Sequence, residues 1–241
     1  MTFPNFKFER VLWKKGFKIV AGADEVGRGC FAGPVVAATV VFTPYVTKGL
    51  KNLRTEEQKI RIDDSKKLSA KQRETADKWI RDNCMAFGIG VATVTEINKR
   101  GLSKATASAF RRAVSAINKV QEKRVDYLLV DAFYTPYIRG LRNARMQFRK
   151  DRRTGTVHDL HARQLAIIHG DEKSFSIASA SIIAKVYRDK LMTKLSNRPN
   201  YKKYGWDKNK GYGTKIHQEA IKKYGVSRLH RKKFIETYLS P

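Results

Sequence analysis

Short apolar runs recur along the chain and predict strands. Phe17–Asp24 and Pro34–Phe42 are rich in Val, Ile and Ala and are separated by a glycine-containing turn. A third such run is Phe87–Val94, and two shorter runs follow at Asp126–Asp131 and Leu165–His169. These runs are typical of strands because they are short, contain β-branched residues and are bounded by turn-forming residues. The pattern therefore predicts five strands.

Other segments repeat their apolar residues every three or four positions and predict helices. The longest of them is Ser174–Leu195, and Ser103–Val120 follows the same spacing with Ser103 as the predicted N-cap. Further helices are predicted at Lys66–Asn83, Thr214–Tyr224 and Lys233–Leu239. Three early strands followed by alternating helices and strands predict an α/β fold with a mixed sheet flanked by helices.

Length and continuity favour a single domain over residues 1–241. A single hydrophobic core can grow to about 250–300 residues before chains tend to divide. No repeat and no Pro/Gly/Ser-rich linker interrupts the sequence. We expect a core of about residues 17–198, followed by a helical carboxy-terminal extension of about residues 199–241.

Charge changes this picture most. The chain has 50 Lys and Arg against 22 Asp and Glu, a formal net charge of +28. Such an excess attracts polyanions, and nucleic acid is the commonest of them. The alternative is a solvated basic surface without a specific partner. Apolar residues make up 41% of the chain, which excludes a disordered polymer.

The sequence predicts a cytoplasmic protein that does not enter a membrane. No apolar stretch is long enough to span a bilayer, and Met1–Phe17 lacks the apolar region of a secretory signal. Cys30 and Cys84 belong to no Cys-x-x-Cys pair, so we interpret both as reduced thiols rather than zinc or redox ligands. A monomer is the simplest expectation.

Four acidic residues stand at the ends of predicted strands in this basic chain. Asp24 and Glu25 end the first strand, Asp131 ends the fourth, and Asp171 follows the last strand just before the long helix. Convergent buried carboxylates require a cation or shared protons, because like charges repel strongly away from water. The alternative is that each acid caps a turn or pairs with one of the many Lys and Arg residues. Spacing alone does not decide between these readings.

The motifs of the chain resemble those of the ribonuclease HII family. The segment Gly22–Gly29, Gly-Ala-Asp-Glu-Val-Gly-Arg-Gly, continues through Ala32–Ala38 and looks like the opening signature of that family. The later segments that agree with the family, in family order, are Asp64–Ser69, Leu129–Asp131, Ser176–Asp189, Gly211–Thr214 with His217, and His230–Arg231.

The resemblance implies a ribonuclease H-like fold and an endonuclease. It implies Asp24, Glu25, Asp131 and Asp171 as the catalytic and metal-binding acids. Oxygen ligands of this kind suit Mg²⁺ or Mn²⁺, and two ions about 3.5–4 Å apart can activate a water and stabilise the leaving oxygen of a phosphodiester. The implied reactions are hydrolysis of the RNA strand of RNA–DNA hybrids and incision at single ribonucleotides in duplex DNA. The products would carry 5′-phosphate and 3′-hydroxyl ends.

The resemblance also implies substrate-binding residues. Gly27, Arg28 and Gly29 match the loop whose backbone contacts the ribose 2′-hydroxyl, the group that distinguishes RNA from DNA. Tyr212 matches a tyrosine that stacks beside the RNA–DNA junction. The positions that look like phosphate contacts are Lys66, Ser181 and Lys185. Lys66 could instead be a solvated residue at a helix start, and Ser181 a small packing residue.

The stretch between Asp131 and Asp171 is longer and more basic than the family pattern leads us to expect. Asp151 and Asp159 within it are competing candidates for the fourth acid, but Asp171 alone directly precedes the Ser176–Asp189 motif. Residues 139–163 predict either a basic hairpin that extends the substrate-binding surface or a solvated loop. The histidines of this stretch lack the further ligands of a zinc site.

Three other interpretations fit the sequence less well. A dinucleotide-binding loop at Gly27–Gly33 would need a different glycine spacing and a following helix. The sister family ribonuclease HIII is disfavoured by Arg28 and by the absence of a long amino-terminal domain. A non-catalytic basic nucleic-acid-binding protein explains the charge but not the acids.

Overall fold

The computed structural model describes residues 3–46, 60–120, 124–132, 148–150, 156–159 and 163–239, together with residues 135, 138 and 141. The strands are β1 (Val20–Val26), β2 (Val35–Val41), β3 (Ala86–Ala92), β4 (Tyr127–Asp131), β5 (Phe148–Lys150), β6 (Thr156–Asp159) and β7 (Gln164–Ile167). The helices are α1 (Lys7–Lys14), α2 (Ala70–Asn83), α3 (Val94–Arg100), α4 (Leu102–Val120), α5 (Phe175–Ser196), α6 (Pro199–Lys202), α7 (Trp206–Asn209), α8 (Lys215–Tyr224) and α9 (Lys232–Leu239).

The strands form one mixed sheet in the order β3-β2-β1-β4-β7-β6-β5. The three central strands β1, β4 and β7 run parallel, while β2 and β3 on one side and β6 and β5 on the other pair antiparallel. Helices pack on both faces, so the predicted α/β fold with a mixed sheet is confirmed. No helix within the described ranges has the length and apolar character needed to cross a membrane.

Strands β5 and β6 lie in the basic stretch of residues 139–163. They pair antiparallel with each other, and β6 pairs with β7. These two strands therefore form a hairpin that extends the sheet, so the stretch is not simply a solvated loop. Asp151 lies outside the described residues. A role of this hairpin in substrate binding stays a prediction.

Some predicted boundaries are wrong for local reasons. The helix predicted from Lys66 begins only at Ala70, because Ser69 and Gln72 form a capping box; Ser65–Lys67 is a separate 3-10 turn. Helix α4 begins at Leu102, so Ser103 lies inside the helix and is not its N-cap. The predicted strand Leu165–His169 ends at Ile167, because His169 adopts a left-handed conformation with φ 54°.

The core has a layer on each face of the sheet. Alternate residues of β2 divide between the layers: Val35 and Ala37 pack in the layer with α4, whereas Val36 and Ala38 pack in the layer with α5. Gly22 of β1 faces α5 so closely that an added Cβ would lie 2.3 Å from the Ser176 carbonyl carbon. Helix α5 therefore lies directly on the strand that carries Asp24.

Helix α1, which the sequence analysis did not predict, anchors the amino-terminal segment to the start of α5. Its Glu9 is buried and accepts hydrogen bonds from the Ser174 hydroxyl at 2.6 Å and from the Ser176 backbone N–H at 3.1 Å. The Ser176 hydroxyl donates to the same oxygen. Burial raises the pKa of Glu9, and the two serine contacts oppose that shift. The contact fixes the chain immediately after Asp171.

We predict that Glu9→Ala destabilises the protein by about 2–4 kcal/mol, because it leaves buried donors at the start of α5 without an acceptor. Glu9→Gln should cost clearly less: its amide keeps one accepting oxygen, and its NH₂ replaces Oε2, which has no hydrogen-bond partner within the described part of the chain. Urea unfolding measures both. Glu219→Ala, at an exposed position, is the control. Equal losses for Glu9→Ala and Glu219→Ala would contradict this account.

Candidate active site

Three carboxylates converge at the ends of the central parallel strands. Ala23 of β1 pairs with Val130 of β4, so the next residues, Asp24 within β1 and Asp131 at the end of β4, are neighbours across the two strands. Asp171 reaches this point from a 3-10 turn, Gly170–Glu172, that follows β7. One oxygen from each of these three aspartates lies within 4.8 Å of the others. Asp24 and Asp171 are buried and Asp131 is half-buried.

Glu25 lies beside this group but is not one of the three. Consecutive strand residues point to opposite faces, so its side chain starts from the face opposite to Asp24, yet its charge still raises the pKa of Asp24. It forms an ion pair with Arg28 at 3.4 Å. Its Oε2 is buried and has no hydrogen-bond partner among the residues that the structure describes. A buried carboxylate oxygen of this kind has unused capacity as a ligand.

The backbone fixes two of the aspartates directly. Asp24 Oδ1 accepts the Glu25 backbone N–H at 2.7 Å, and Asp131 Oδ1 accepts the Gly170 N–H at 2.7 Å. A Cβ added at Gly170 would lie 2.8 Å from Ile177 Cδ1 and 3.3 Å from Asp131 Oδ1. Glycine at this position therefore allows the turn that carries Asp171 to approach Asp131.

Burial and mutual repulsion raise the pKa of every acid in the group. Burial first, then Glu25 and Asp131, hold the pKa of Asp24 well above its ordinary value. Burial raises the pKa of Glu25 to about 7 against the opposing effect of Arg28, and that of Asp171 to about 6 with help from Asp131. Burial also raises the pKa of Asp131. Protons or a cation must offset this negative charge.

The donor set fits a hard divalent cation. All candidate ligands are carboxylate oxygens, which Mg²⁺ and Mn²⁺ prefer, and no His or Cys side chain belongs to the three-residue group found among the described residues. The unpartnered Glu25 oxygen adds a further donor at its border. The residues present therefore fit a metal centre better than a set of permanently paired acids.

Asp64 is a fifth acid at this site, and the sequence analysis gave it no role. It is buried, it caps the Ser65–Lys67 turn through the Lys66 N–H, and it raises the pKa of Asp131 and Asp171. The ammonium of Lys66 lies 3.8 Å from Asp64 Oδ1 and 3.7 Å from Asp171 Oδ2. The only sequence signal for Asp64 was its place at the head of the Asp64–Ser69 motif.

Ser181 and Lys185 take different places. The Ser181 hydroxyl is buried, lies 2.9 Å from the Ser65 hydroxyl and hydrogen-bonds Asp24, whose pKa it lowers. Lys185 forms an ion pair with Asp189 at 2.9 Å, and its ammonium lies 5.7 Å from the centroid of the Tyr212 ring. Ser181 thus supports the acidic group, whereas Lys185 borders the surface next to Tyr212.

The Gly27–Gly29 loop is held by a buried arginine whose side-chain hydrogen bonds, among the described residues, go to main-chain carbonyls of that region. Arg231 donates to the carbonyls of Gly27 at 2.6 Å, Arg28 at 2.7 Å and Gly33 at 3.0 Å. Gly27 has φ +90°, and a Cβ there would lie 2.2 Å from Arg188 Nε. A Cβ at Gly29 would meet nothing within 4 Å, so this part of the loop faces open space.

Tyr212 lies next to the same loop. It forms an isolated bridge with Cys30, and its side chain is partly exposed. The guanidinium of Arg188 lies 5.9 Å from its ring centroid. Burial raises the pKa of the Tyr212 phenol to about 12, so the ring stays neutral. An exposed, neutral aromatic ring flanked by cations is suited to stacking on a nucleic-acid base.

We predict that Asp24→Asn stabilises the metal-free protein at pH 7, because it removes a negative charge from a crowded group and keeps an oxygen that can accept the Glu25 N–H. Each kcal/mol of relieved repulsion should raise Tm by roughly 2–4 °C. Calorimetry in EDTA measures the change, with the exposed Asp82→Asn as the control. Added Mn²⁺ should then stabilise the unmodified protein more than the variant. A lower Tm for the variant in EDTA would refute the repulsion argument.

Comparisons with known proteins agree with these observations. A family model described as Ribonuclease HII matches residues 21–237. The chain is 38% identical over 237 residues to the Ribonuclease HII of Alkaliphilus metalliredigens (strain QYMF), covering 98% of each protein. The solved ribonuclease H2 of Pyrococcus horikoshii OT3 has a TM-score of 0.62 at 23% identity, covering 92% of this chain and 100% of that one. Bst-RNase HIII in complex with Mn²⁺ has a TM-score of 0.59 at 19% identity, covering 90% and 64%.

Proposed function

Because the chain belongs to the ribonuclease HII family, a family of metal-dependent endoribonucleases that cleave the RNA strand of RNA–DNA hybrids, we propose that its converging acids carry out this reaction. The acids are Asp24, Glu25, Asp131 and Asp171. The observation that carries the proposal is the approach of three aspartate oxygens to within 4.8 Å of one another at a buried strand edge.

The proposed cofactor is a pair of Mg²⁺ or Mn²⁺ ions. The chemistry that such ions supply when bound is activation of a water and stabilisation of the leaving oxygen of a phosphodiester. Asp24, Asp131 and Asp171 would provide carboxylate ligands, and Glu25 would contribute its unpartnered oxygen from the border of the group. In-line attack would leave 5′-phosphate and 3′-hydroxyl ends.

The Gly27–Gly29 loop is proposed to recognise the ribose of the substrate. Arg231 fixes its carbonyls, and the open space at Gly29 lets a sugar approach the main chain. A main chain held in this way can recognise the 2′-hydroxyl without a flexible side chain. Arg28 belongs to the same proposed contact, because it links the loop to the Glu25 carboxylate.

Phosphate contacts are proposed for Lys66 and Lys185. Lys66 has a largely exposed side chain at the border of the acids, and Lys185 lies near the Tyr212 ring. A contact of Ser181 with phosphate has less support, because its hydroxyl is buried against Ser65 and Asp24. The net charge of +28 favours binding of hybrid and of ribonucleotide-containing duplex DNA. One domain, a monomeric state and a cytoplasmic location stay predictions.

We predict that Asp131→Asn lowers hybrid cleavage at least about a hundred-fold, an effect of roughly 3 kcal/mol on the activation barrier. Asn keeps an oxygen for the Gly170 N–H, so the fold and the binding of hybrid in EDTA should change little. Cleavage of a labelled hybrid in Mg²⁺ and Mn²⁺ measures the loss, and Asp82→Asn serves as the control. If Asp131→Asn cleaved at the rate of the unmodified protein, this residue would have no place in the mechanism. If the unmodified protein bound hybrid without metal and did not cleave it, the chain would instead be a non-catalytic binding protein.

Incision at a single ribonucleotide in duplex DNA is the finer part of the proposal and rests on Tyr212. Base–aromatic stacking contributes about 1–3 kcal/mol. We therefore predict that Tyr212→Ala lowers kcat/KM for a single embedded ribonucleotide roughly 5–150-fold, and that it lowers duplex binding less. Tyr212→Phe keeps the ring and should behave like the unmodified enzyme. If Tyr212→Ala reduced incision and binding equally, the junction role would have to be abandoned.

A further inference from the structure

A buried pair of histidines lies behind Tyr212, and neither enters the proposed chemistry. His217, on α8, and His230, just before α9, are both buried, and their Nε2 atoms lie 3.2 Å apart. The Trp206 indole, which is fully buried, contacts His217 Nε2 at 3.0 Å. When two imidazoles face each other away from water, each hydrogen bond between them and their neighbours needs one donor and one acceptor. This requirement determines which ring nitrogen of each histidine carries the proton.

Backbone groups that can only accept or only donate determine the position of each proton. His217 Nδ1 lies 2.8 Å from the Tyr212 carbonyl oxygen, which can only accept, so Nδ1 carries the proton. His217 Nε2 is then the acceptor that receives the Trp206 N–H. His230 Nδ1 lies 2.8 Å from the Ser227 backbone N–H, which can only donate, so the proton of His230 is on Nε2 and points at His217.

Both rings are therefore neutral and carry opposite tautomers. A proton on His217 Nε2 would face two donors at once, from Trp206 and His230. Burial lowers the pKa of both histidines, and that of His230 falls to about 4 with a contribution from His217. His217 therefore accepts hydrogen bonds from Trp206 and His230 through Nε2 and donates one to the Tyr212 carbonyl through Nδ1.

We infer that His217 is a positioning residue for Tyr212, fixing the peptide that carries the stacking ring. The main chain here needs such support, because Lys210 and Gly211 have φ 51° and +83°. The Tyr212 carbonyl also accepts the Thr214 N–H at 2.8 Å, while the Tyr212 N–H donates to the Asn209 carbonyl at 2.9 Å. Backbone contacts with Phe31 and Ala32 hold the Gly211 carbonyl on one side, and His217 links the Tyr212 carbonyl to buried Trp206 and His230 on the other. This inference rests on the proposed stacking role of Tyr212.

Two substitutions separate positioning from packing. His217→Gln places an amide oxygen near the Nε2 position, which can still accept from Trp206 and His230, but it loses the donor to the Tyr212 carbonyl. His217→Asn places an amide N–H near the Nδ1 position and keeps that donor, but it loses the acceptor for Trp206 and His230. A purely structural role of His217 predicts the larger functional defect in whichever variant is less stable.

The decisive quantity is the ratio of kcat/KM on a single embedded ribonucleotide to kcat/KM on a long hybrid. We expect His217→Gln to lower this ratio about 5–10-fold and His217→Asn to leave it within about twofold of the unmodified value, although Asn should lower Tm more. An unchanged ratio in His217→Gln, or an equal fall in both variants, would overturn the inference.

Tyr212→Ala, measured in parallel, separates this inference from the proposed function. If Tyr212→Ala leaves the ratio unchanged, the stacking role itself fails and the inference fails with it. If Tyr212→Ala lowers the ratio and His217→Gln does not, only the inference fails. Long-range ¹H–¹⁵N correlation NMR of the unmodified protein gives a readout independent of activity: it should show the proton on Nδ1 of His217 and on Nε2 of His230. The reverse assignment would overturn the inference whatever the kinetics show.

Discussion

Repulsion among carboxylates that the fold holds together is the constraint on which the rest of the molecule depends. Asp24, Asp131 and Asp171 bring oxygens within 4.8 Å of one another, and burial further disfavours their charged forms. Such an arrangement costs folding free energy in the absence of a cation, so other contacts must offset it. Neighbouring groups hold this arrangement: the Glu25 N–H binds Asp24, the Gly170 N–H binds Asp131, and Glu9 anchors the start of α5 just after Asp171.

Two buried arginines beside the site are stabilised by main-chain carbonyls, whereas Arg28 and Lys66 lie close to site carboxylates. Arg231, fully buried beside the Gly27–Gly29 loop, donates to backbone carbonyls. Arg188 likewise donates to the carbonyls of Ala32, Pro34 and Lys210. Carbonyl oxygens stabilise a guanidinium without adding a negative charge. The two arginines can therefore support the loop without a carboxylate partner that would compete with the catalytic group for a metal.

The sequence predicted β1, β2, β3, β4 and β7 because each of them is a short apolar run, and the resemblance supplied the acids. It did not give β5 and β6 as strands, because those segments are short and mostly polar. It could not show that Asp24 and Asp131 are neighbours, because their approach depends on the parallel pairing of β1 with β4. Glu9 had no local signal, since its partner Ser174 is 165 residues away. The start of α2 did have one: Ser69 and Gln72 have the spacing of a capping box, which outweighs the helical pattern before it. Asp64 had a place in a family-like motif but no assigned role, because its closeness to Asp171 depends on the folded turn.

The two halves of the site call for different kinds of rigidity. The acids must stay close despite repulsion, and regular strand pairing supplies a frame that cannot slip by one residue without turning Asp24 to the other face. Tyr212 lies on a short irregular segment with left-handed residues, which only an isolated bridge to Cys30 and a few backbone hydrogen bonds hold among the described residues. Side chains add to that support, through His217 and its buried partners. Cleavage and junction recognition therefore depend on different parts of the structure. Substitutions of His217 should change substrate preference, whereas substitutions of Asp24 or Asp131 should abolish turnover on every substrate.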